Sequence, residues 1–397
     1  MSTTELTTQV AVVGGGPSGL TMAYLLRQAG IDVQVVENRS RPYTVDRVRA
    51  GVLEQSSVEL LTKAGLGERL HKEGQKHDGI YLQFDGEKHR VPFADLIGRS
   101  VWVYGQQEVM KDLLVAHDKE NFSANYECDN VALHDLETDS PSVTYTQHGQ
   151  DVRITARFII GADGFHGISR PSIPESEITH HERVYPFGWL GILANVEPST
   201  DELIYALHED GFAMHSMRSN TVSRLYLQVD PDDDIANWSD ERIWEALQVR
   251  LGHPGFTLKE GPITEKSITP MRSWVSSPMR YGNLFLVGDS AHIVPPTGAK
   301  GLNSAFGDIA YLSPALLEFF ATGNAKGIDE YSKDSLDRIW RTQNFSMYMT
   351  NMLHRFFSDN PTQDDFDYRS QLGQLRTVVN SKHGMAFLAE NYTGIIW

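Results

Sequence analysis

Two glycine-rich runs far apart in the chain constrain its fold more than any other feature. The first, Gly14-Gly15-Gly16-Pro17-Ser18-Gly19, lies between a short apolar run (Gln9 to Val13) and a helical pattern ending near Gly30. That order reads as strand, tight turn and helix. Gly14 permits the turn, Gly16 admits a pyrophosphate against the backbone, and Gly19 lets helix pack closely on strand; the helix N-terminus, with Ser18 in its first turn, faces the phosphates. Pro17 suits that turn because no amide hydrogen is needed there. A second strand, Val33 to Val36, delivers Glu37 about 20 residues on, at the offset of a carboxylate that accepts from an adenosine ribose. A bare glycine pattern fits any parallel sheet, whereas strand, helix and acid together specify a dinucleotide. The second run, Gly288 to Asn303 (GDSAHIVPPTGAKGLN), follows the buried-strand pattern Leu284-Phe285-Leu286-Val287 and completes the same site.

At 397 residues the chain suggests two to three domains on the usual prior of about 150 residues each. Hydrophobic residues at 40% and charged residues at 22% describe an ordinary globular protein. No apolar run of about 18 residues is present to span a bilayer, and the first residues carry Glu5 instead of a basic start, so a cytoplasmic location is expected. The single cysteine, Cys128, excludes an internal disulfide and a cysteine-based metal cluster, and reads as buried filler rather than a catalytic thiol. A net charge of -17 repels nucleic acid and anionic membranes, leaving small molecules as the expected partners. The acidic clusters Asp230 to Asp234 and Asp364-Asp365 read as solvated loops, and no metal site is expected.

Residues 1–180 alternate short apolar strands with helical patterns such as Val58 to Ala64 and Glu108 to Ala116, which predicts a Rossmann-like α/β unit built on a parallel sheet. Residues 181–268 change texture. From Arg183 to Val229 the apolar period is two, followed by a helical insertion from Asp240 to Leu251, so an antiparallel sheet is expected. Residues 269–397 return to the first unit through Leu284 to Val287 and then turn helical, and the helical carboxyl region offers a surface for a homodimer.

Within the antiparallel segment, Phe212, Met214, Ser216 and Arg218 share one strand face, as do Arg224, Tyr226 and Gln228 on the next strand. A three-residue turn at Asn220 to Val222 would set Arg218 opposite Arg224 and Ser216 opposite Tyr226. Two cations facing each other destabilise an empty sheet. A carboxylate would relieve them, taking a bidentate contact from Arg218 with help from the Ser216 and Tyr226 hydroxyls. Two exposed arginines on a solvated face fit the same pattern.

Three blocks together, Gly14 to Gly19, Gly161 to Arg170 (GADGFHGISR) and Gly288 to Asn303, resemble the class A flavin monooxygenases. Arg47 to Gln55, Val184 to Gly191 and Asn391-Tyr392 extend the similarity over nearly the whole chain, toward those members that hydroxylate hydroxybenzoates. The resemblance implies FAD held by Gly14, Gly16, Ser18, Gly19, Glu37, Arg47, Arg49, Gln106, Asp163, Arg224, Asp289, Leu302 and Asn303. It implies contacts to a nicotinamide nucleotide from Arg39, Tyr43, Arg49, His166 and Arg170. Backbone amides at Leu302 and Asn303 would stabilise the negative charge of a reduced flavin. An aromatic acid would meet Ser216, Arg218, Tyr226, Tyr205 and Pro296. Tyr205, Tyr392 and His77 would relay the phenol proton, which is needed because free phenols ionise only near pH 10. The implied reaction converts 4-hydroxybenzoate to 3,4-dihydroxybenzoate with NADPH and dioxygen, through a flavin C4a-hydroperoxide.

Read alone, Asp163 fits a turn, His166 a packed histidine, Tyr205 and Tyr392 packing aromatics, His77 a polar helical stretch, and Pro295-Pro296 ordinary loop punctuation. The members that select NADPH carry an arginine directly after the glutamate, where this chain has Asn38 and then Arg39. With Arg39 or Arg41 available for a 2'-phosphate, NADPH stands first and NADH stays open. Other hydroxybenzoate isomers, an FAD-dependent dehydrogenase or oxidase, and a flavin-binding sensor are the competing functions.

Overall fold

The computed structural model describes residues 3–46 and 51–395. A five-stranded sheet forms its first layer, in the order Arg280–Tyr281, Leu284–Leu286, Phe158–Gly161, Val10–Val13, Val33–Val36. The last four of these run parallel. Apart from the half-buried Gln34, these four strands are buried, which is why they read as near-continuous apolar runs rather than alternating ones. The helices Pro17–Gln28, Gln106–Lys119 and Gly301–Thr322 pack on this layer and share its apolar core.

An eight-stranded sheet forms the second layer. Its centre is antiparallel: Ile263–Ser277, Thr179–Ala194, Ser223–Val229, Gly211–Met217 and Ile204–His208 lie side by side. It recruits Ile80–Phe84 and Glu87–Val91 from the amino-terminal third and His292–Ile293 from the second glycine run. One face, with Ile204, Ala213 and Leu225, is covered by the helix Asp240–Leu251. The opposite face carries Tyr205, Met214 and Tyr226. Four helices, Gly301–Thr322, Lys326–Leu353, Pro361–Val379 and Lys382–Tyr392, complete the chain.

Two expectations are corrected here. Ser216 pairs with Arg224 and Met214 with Tyr226, two residues away from the register read from the sequence. The connection is the five-residue loop Arg218–Val222, closed by Arg218 N donating to Val222 O at 2.8 Å, so Arg218 lies beyond the strand end. Because the shift is an even number, every side chain keeps its face. Asp364 and Asp365 lie in the helix Pro361–Val379 rather than in a loop, Asp364 in its first turn. Acidic residues there favour the helix dipole, and Asp364 accepts from Ser358 Oγ at 2.7 Å. Cys128 is fully buried, and burial pushes its thiol up to about 12, far from a reactive thiolate.

Candidate active site

The three glycine blocks converge because their strands are neighbours. Gly14 and Gly288 follow the carboxyl ends of Val10–Val13 and Leu284–Leu286, Gly161 ends Phe158–Gly161, and cross-links continue the ladder: Ala162 N to Val13 O at 2.7 Å and Val287 N to Gly161 O at 2.9 Å. From Val10–Val13 the sheet grows one way to Val33–Val36 and the other way to Phe158–Gly161. A crevice opens outside such a switch point.

Gly14 has φ +110°, and a Cβ there would collide with the Ala162 carbonyl. Nothing lies within 4 Å of a Cβ built on Gly16, which leaves that backbone open. A Cβ on Gly288 would come within 3.1 Å of Ser18 Oγ, so the two ends of the motif set touch. Glu37 accepts from Gly15 N at 2.6 Å and from Arg39 N at 2.8 Å, fixing its carboxylate at the strand end. Asp163 accepts from Ser169 N and Oγ at 2.8 and 2.9 Å through Oδ2, while its buried Oδ1 has no hydrogen-bond partner among the described residues.

The second run folds back over the antiparallel sheet. Ala299 N donates to Pro296 O at 2.9 Å, and Ser346 Oγ donates to Pro295 O at 3.1 Å. Pro296 itself is exposed. Leu302 and Asn303 occupy the first turn of Gly301–Thr322, where amides have no acceptor within their own helix. The Asn303 side chain is fully engaged: Oδ1 accepts from Glu54 N at 2.9 Å and Ser57 Oγ at 2.7 Å, and Nδ2 donates to Val52 O and Ala299 O.

On the sheet face turned away from the helix Asp240–Leu251, Tyr205 stands opposite Met214 and Met214 opposite Tyr226, giving one buried row across three strands. Strand spacing places Tyr205 about 10 Å from Tyr226 along that row. Ser216 and Arg224 form the adjacent row, with Ser216 Oγ donating to Arg224 O at 3.0 Å. The Arg224 guanidinium lies 5.3 Å from the Tyr226 ring centroid, and its buried Nη1 has no hydrogen-bond partner among the described residues. Arg218 reaches across to the start of Gln106–Lys119, where it packs on Gly105 and donates to Gln107 Oε1. Burial and the nearby Arg224 charge both lower its pKa, a combination that favours an anion beside it. Gln106 opens the same helix.

Tyr205 and Tyr392 meet hydroxyl to hydroxyl at 2.6 Å, each 1% exposed. Burial pushes both phenols up, Tyr205 being eased slightly by Tyr392 and the Gly298 backbone. His77 differs from its sequence reading: it ends the strand Gln75–His77, not a helix, and is buried. Among the described residues neither ring nitrogen has a hydrogen-bond partner, so no hydrogen bond joins it to either tyrosine. Burial holds its pKa down to about 4, against the pull of Glu202, Asp201 and Asp78.

At the crevice rim, Arg39 and Tyr43 are exposed, the guanidinium 5.1 Å from the ring centroid, while Arg41 pairs with Asp118 at 2.5 Å. His166 is exposed beside Phe165. Arg170 turns inward instead, donating to Phe165 O at 2.7 Å and Ser290 O at 3.3 Å. Arg47 and Arg49 lie outside the described residues.

Residues 7–346 match the family described as FAD binding domain. The p-hydroxybenzoate hydroxylase of Acinetobacter baylyi is 48% identical over 390 residues, covering 98% of this chain and 95% of that protein. The chain belongs to the class A flavoprotein monooxygenases. A kynurenine 3-monooxygenase of Salinispora tropica is 26% identical over 345 residues, covering 78% of this chain and 72% of the relative. The crystal structure of p-nitrophenol 4-monooxygenase from Pseudomonas putida shares the fold, with a TM-score of 0.81 at 19% identity and coverage of 98% and 99%.

The crevice of this flavoprotein monooxygenase fits FAD: the open backbone at Gly16, the fixed Glu37 carboxylate and the unpartnered Asp163 Oδ1 all lie at the strand ends. Sequence reasoning missed Gln107, which only the fold brings to Arg218. It also missed the buried pair Lys300 and Glu54, whose ammonium additionally donates to Asn391 O at 2.5 Å. The one available signal was a lysine set between glycines of the second run. Among the described residues no cluster suits a metal and no helix is long and apolar enough to cross a membrane.

Proposed function

We propose that this monooxygenase converts 4-hydroxybenzoate, NADPH, a proton and dioxygen into 3,4-dihydroxybenzoate, NADP and water. The row Tyr205, Met214, Tyr226 carries the reading, because it separates an anion end from a phenol end on one sheet face. Arg218, with Ser216 and Tyr226, holds the carboxylate. Two strands from Tyr226, Tyr205 accepts the phenol proton and shares it with Tyr392. A para-substituted ring spans that gap with a hydrogen bond at each end, whereas ortho and meta isomers bring their hydroxyl short of Tyr205. Pro296 and the loop behind it close the ring against the dinucleotide crevice. Because burial disfavours both tyrosinates, the relay works by hydroxyl exchange rather than by a standing charge. His77, buried and without a partner, takes the proton onward by reorienting.

Bound FAD, reduced by the nicotinamide, supplies the activated oxygen. Arg39 and Tyr43, exposed just beyond Glu37, support NADPH as the reductant, with His166 and Arg170 near the middle block. The exposed Phe357, Phe366 and Phe387 in the carboxyl-terminal region support a homodimer, and a buried lone cysteine supports a reducing, cytoplasmic setting. The test follows NADPH and NADH oxidation with each of the three hydroxybenzoate isomers while quantifying 3,4-dihydroxybenzoate. Stimulated oxidation without that product from the para isomer would remove the hydroxylation assignment. Flavin reduction by substrate alone would indicate a dehydrogenase or oxidase.

A further inference from the structure

Behind the second glycine run lies a buried charged cluster that no step above uses. Asp308, in the helix Gly301–Thr322, is fully buried. Its Oδ2 accepts from Gly288 N at 2.8 Å and contacts His292 Nε2 at 2.7 Å. Its Oδ1 accepts from Arg338 Nη2 at 2.5 Å, and the same nitrogen donates to Ser304 O at 3.0 Å. Arg338, from Lys326–Leu353, reaches this point because Gly307 has no side chain: a Cβ there would sit within 2.9 Å of Arg338 Nε. One carboxylate therefore grips both ends of the five-residue segment Gly288 to His292, and Asp289 is the second residue of that segment. Gly288 holds φ +64°, and a Cβ on it would lie 3.1 Å from Ser18 Oγ. A small movement of the segment thus changes the crevice directly.

We propose that Asp308, with His292 and Arg338, is a positioning residue for the dinucleotide: it clamps Gly288 to His292 so that Asp289 is presented to the crevice. The inference rests on the FAD reading of that crevice. A core serving stability alone has no need for three ionisable groups, since burying such a cluster gains little over apolar packing. What it supplies is a directional hold on both ends of the segment, whose middle is tied separately by Ser290 Oγ to Gly161 O at 2.6 Å and Ser276 N to Ala291 O at 2.8 Å.

The test measures the FAD dissociation constant of apoprotein by quenching of flavin fluorescence, alongside the melting temperature of the apoprotein. Asp308→Asn keeps the shape and removes the charge; it is expected to weaken FAD binding by about tenfold or more. Asp289→Ala should weaken it by removing the presented carboxylate. In the double variant the two effects should not add, because Asp308 acts through Asp289. His292→Gln should retain most of the affinity by replacing the Nε2 contact, while His292→Leu should lose it; this pair decides the matter if Asp308→Asn does not fold. Additive losses, an unchanged constant in Asp308→Asn, or equal behaviour of the two His292 variants would overturn the proposal. A wild-type protein that binds no FAD would instead sink the crevice reading itself.

Discussion

Replacing Tyr205 by Phe removes one half of a hydroxyl pair that is almost wholly shielded from solvent. The partner, Tyr392 Oη, stands 2.6 Å away and is equally buried, so it is left with an unmatched polar atom. Such an orphan costs about 1–3 kcal/mol. Tyr392→Phe leaves the Tyr205 hydroxyl with the Gly298 backbone alone and costs less. Removing both groups leaves no orphan, so the double variant should be less destabilised than the two losses combined, with a coupling of about 1–2 kcal/mol. Urea denaturation of the four proteins, compared at constant m-value, measures this directly. In catalysis, Tyr205→Phe should raise the 4-hydroxybenzoate dissociation constant by no more than about tenfold, the loss of one neutral hydrogen bond, and lower product formation by at least about a hundredfold, the usual worth of a placed proton acceptor. NADPH would then be consumed with little 3,4-dihydroxybenzoate formed. Strictly additive stabilities, or full product yield from Tyr205→Phe, would refute the relay.

Arg218→Ala should raise the substrate dissociation constant by about 10- to 100-fold, from the 1.5–3 kcal/mol of a charged hydrogen bond, and equilibrium titration with 4-hydroxybenzoate checks it. Gln107→Ala, which removes the Arg218 brace, should produce a smaller shift in the same direction. Gly14→Ala should yield protein that does not retain FAD after gel filtration, because the added Cβ strikes the Ala162 carbonyl at a φ that L-residues avoid. Acid should destabilise the fold early. His77 and His215 are held down to about 4 and His354 to about 3, all chiefly by burial. The unfolded chain therefore binds protons below about pH 6.5 that the native state refuses, so stability is present above that value and falls steadily toward pH 4 and 3. At pH 5 the loss is roughly 2 kcal/mol per ring; equal unfolding free energies at pH 7.5 and pH 5 would contradict it.

The crevice was legible because its chemistry is local. Gly14, Glu37 and Gly288 each carry backbone demands readable over a few residues, and the fully apolar runs beside them announced buried parallel strands. The helix Asp240–Leu251 and the strand Val33–Val36 fall where periodicity placed them. The register of Gly211–Met217 against Ser223–Val229 was not legible, since alternation fixes which face a side chain takes but not the length of the connecting loop. His77 misled because a strand of three residues is too short to show a period. Lys300 and Glu54, Arg218 and Gln107, and the cluster around Asp308 join segments far apart in sequence, and polar residues meeting in a core leave no periodic trace. The recruitment of Ile80–Phe84 and Glu87–Val91 into the second sheet escaped because the partner strand, Ile204–His208, lies more than a hundred residues away in sequence.

The placement of Phe158–Gly161 between Val10–Val13 and Leu284–Leu286 also governs how the molecule is made. While a ribosome is still producing the first 280 or so residues, one edge of Phe158–Gly161 has no neighbour and its amides and carbonyls stay open to pairing with other nascent chains. Only when Leu284 to Leu286 emerge does that edge close, and with it the last wall of the nucleotide crevice. Capture of the cofactor is thus a late event in biogenesis, and a chain interrupted before this strand is exposed to aggregation with no ligand able to rescue it.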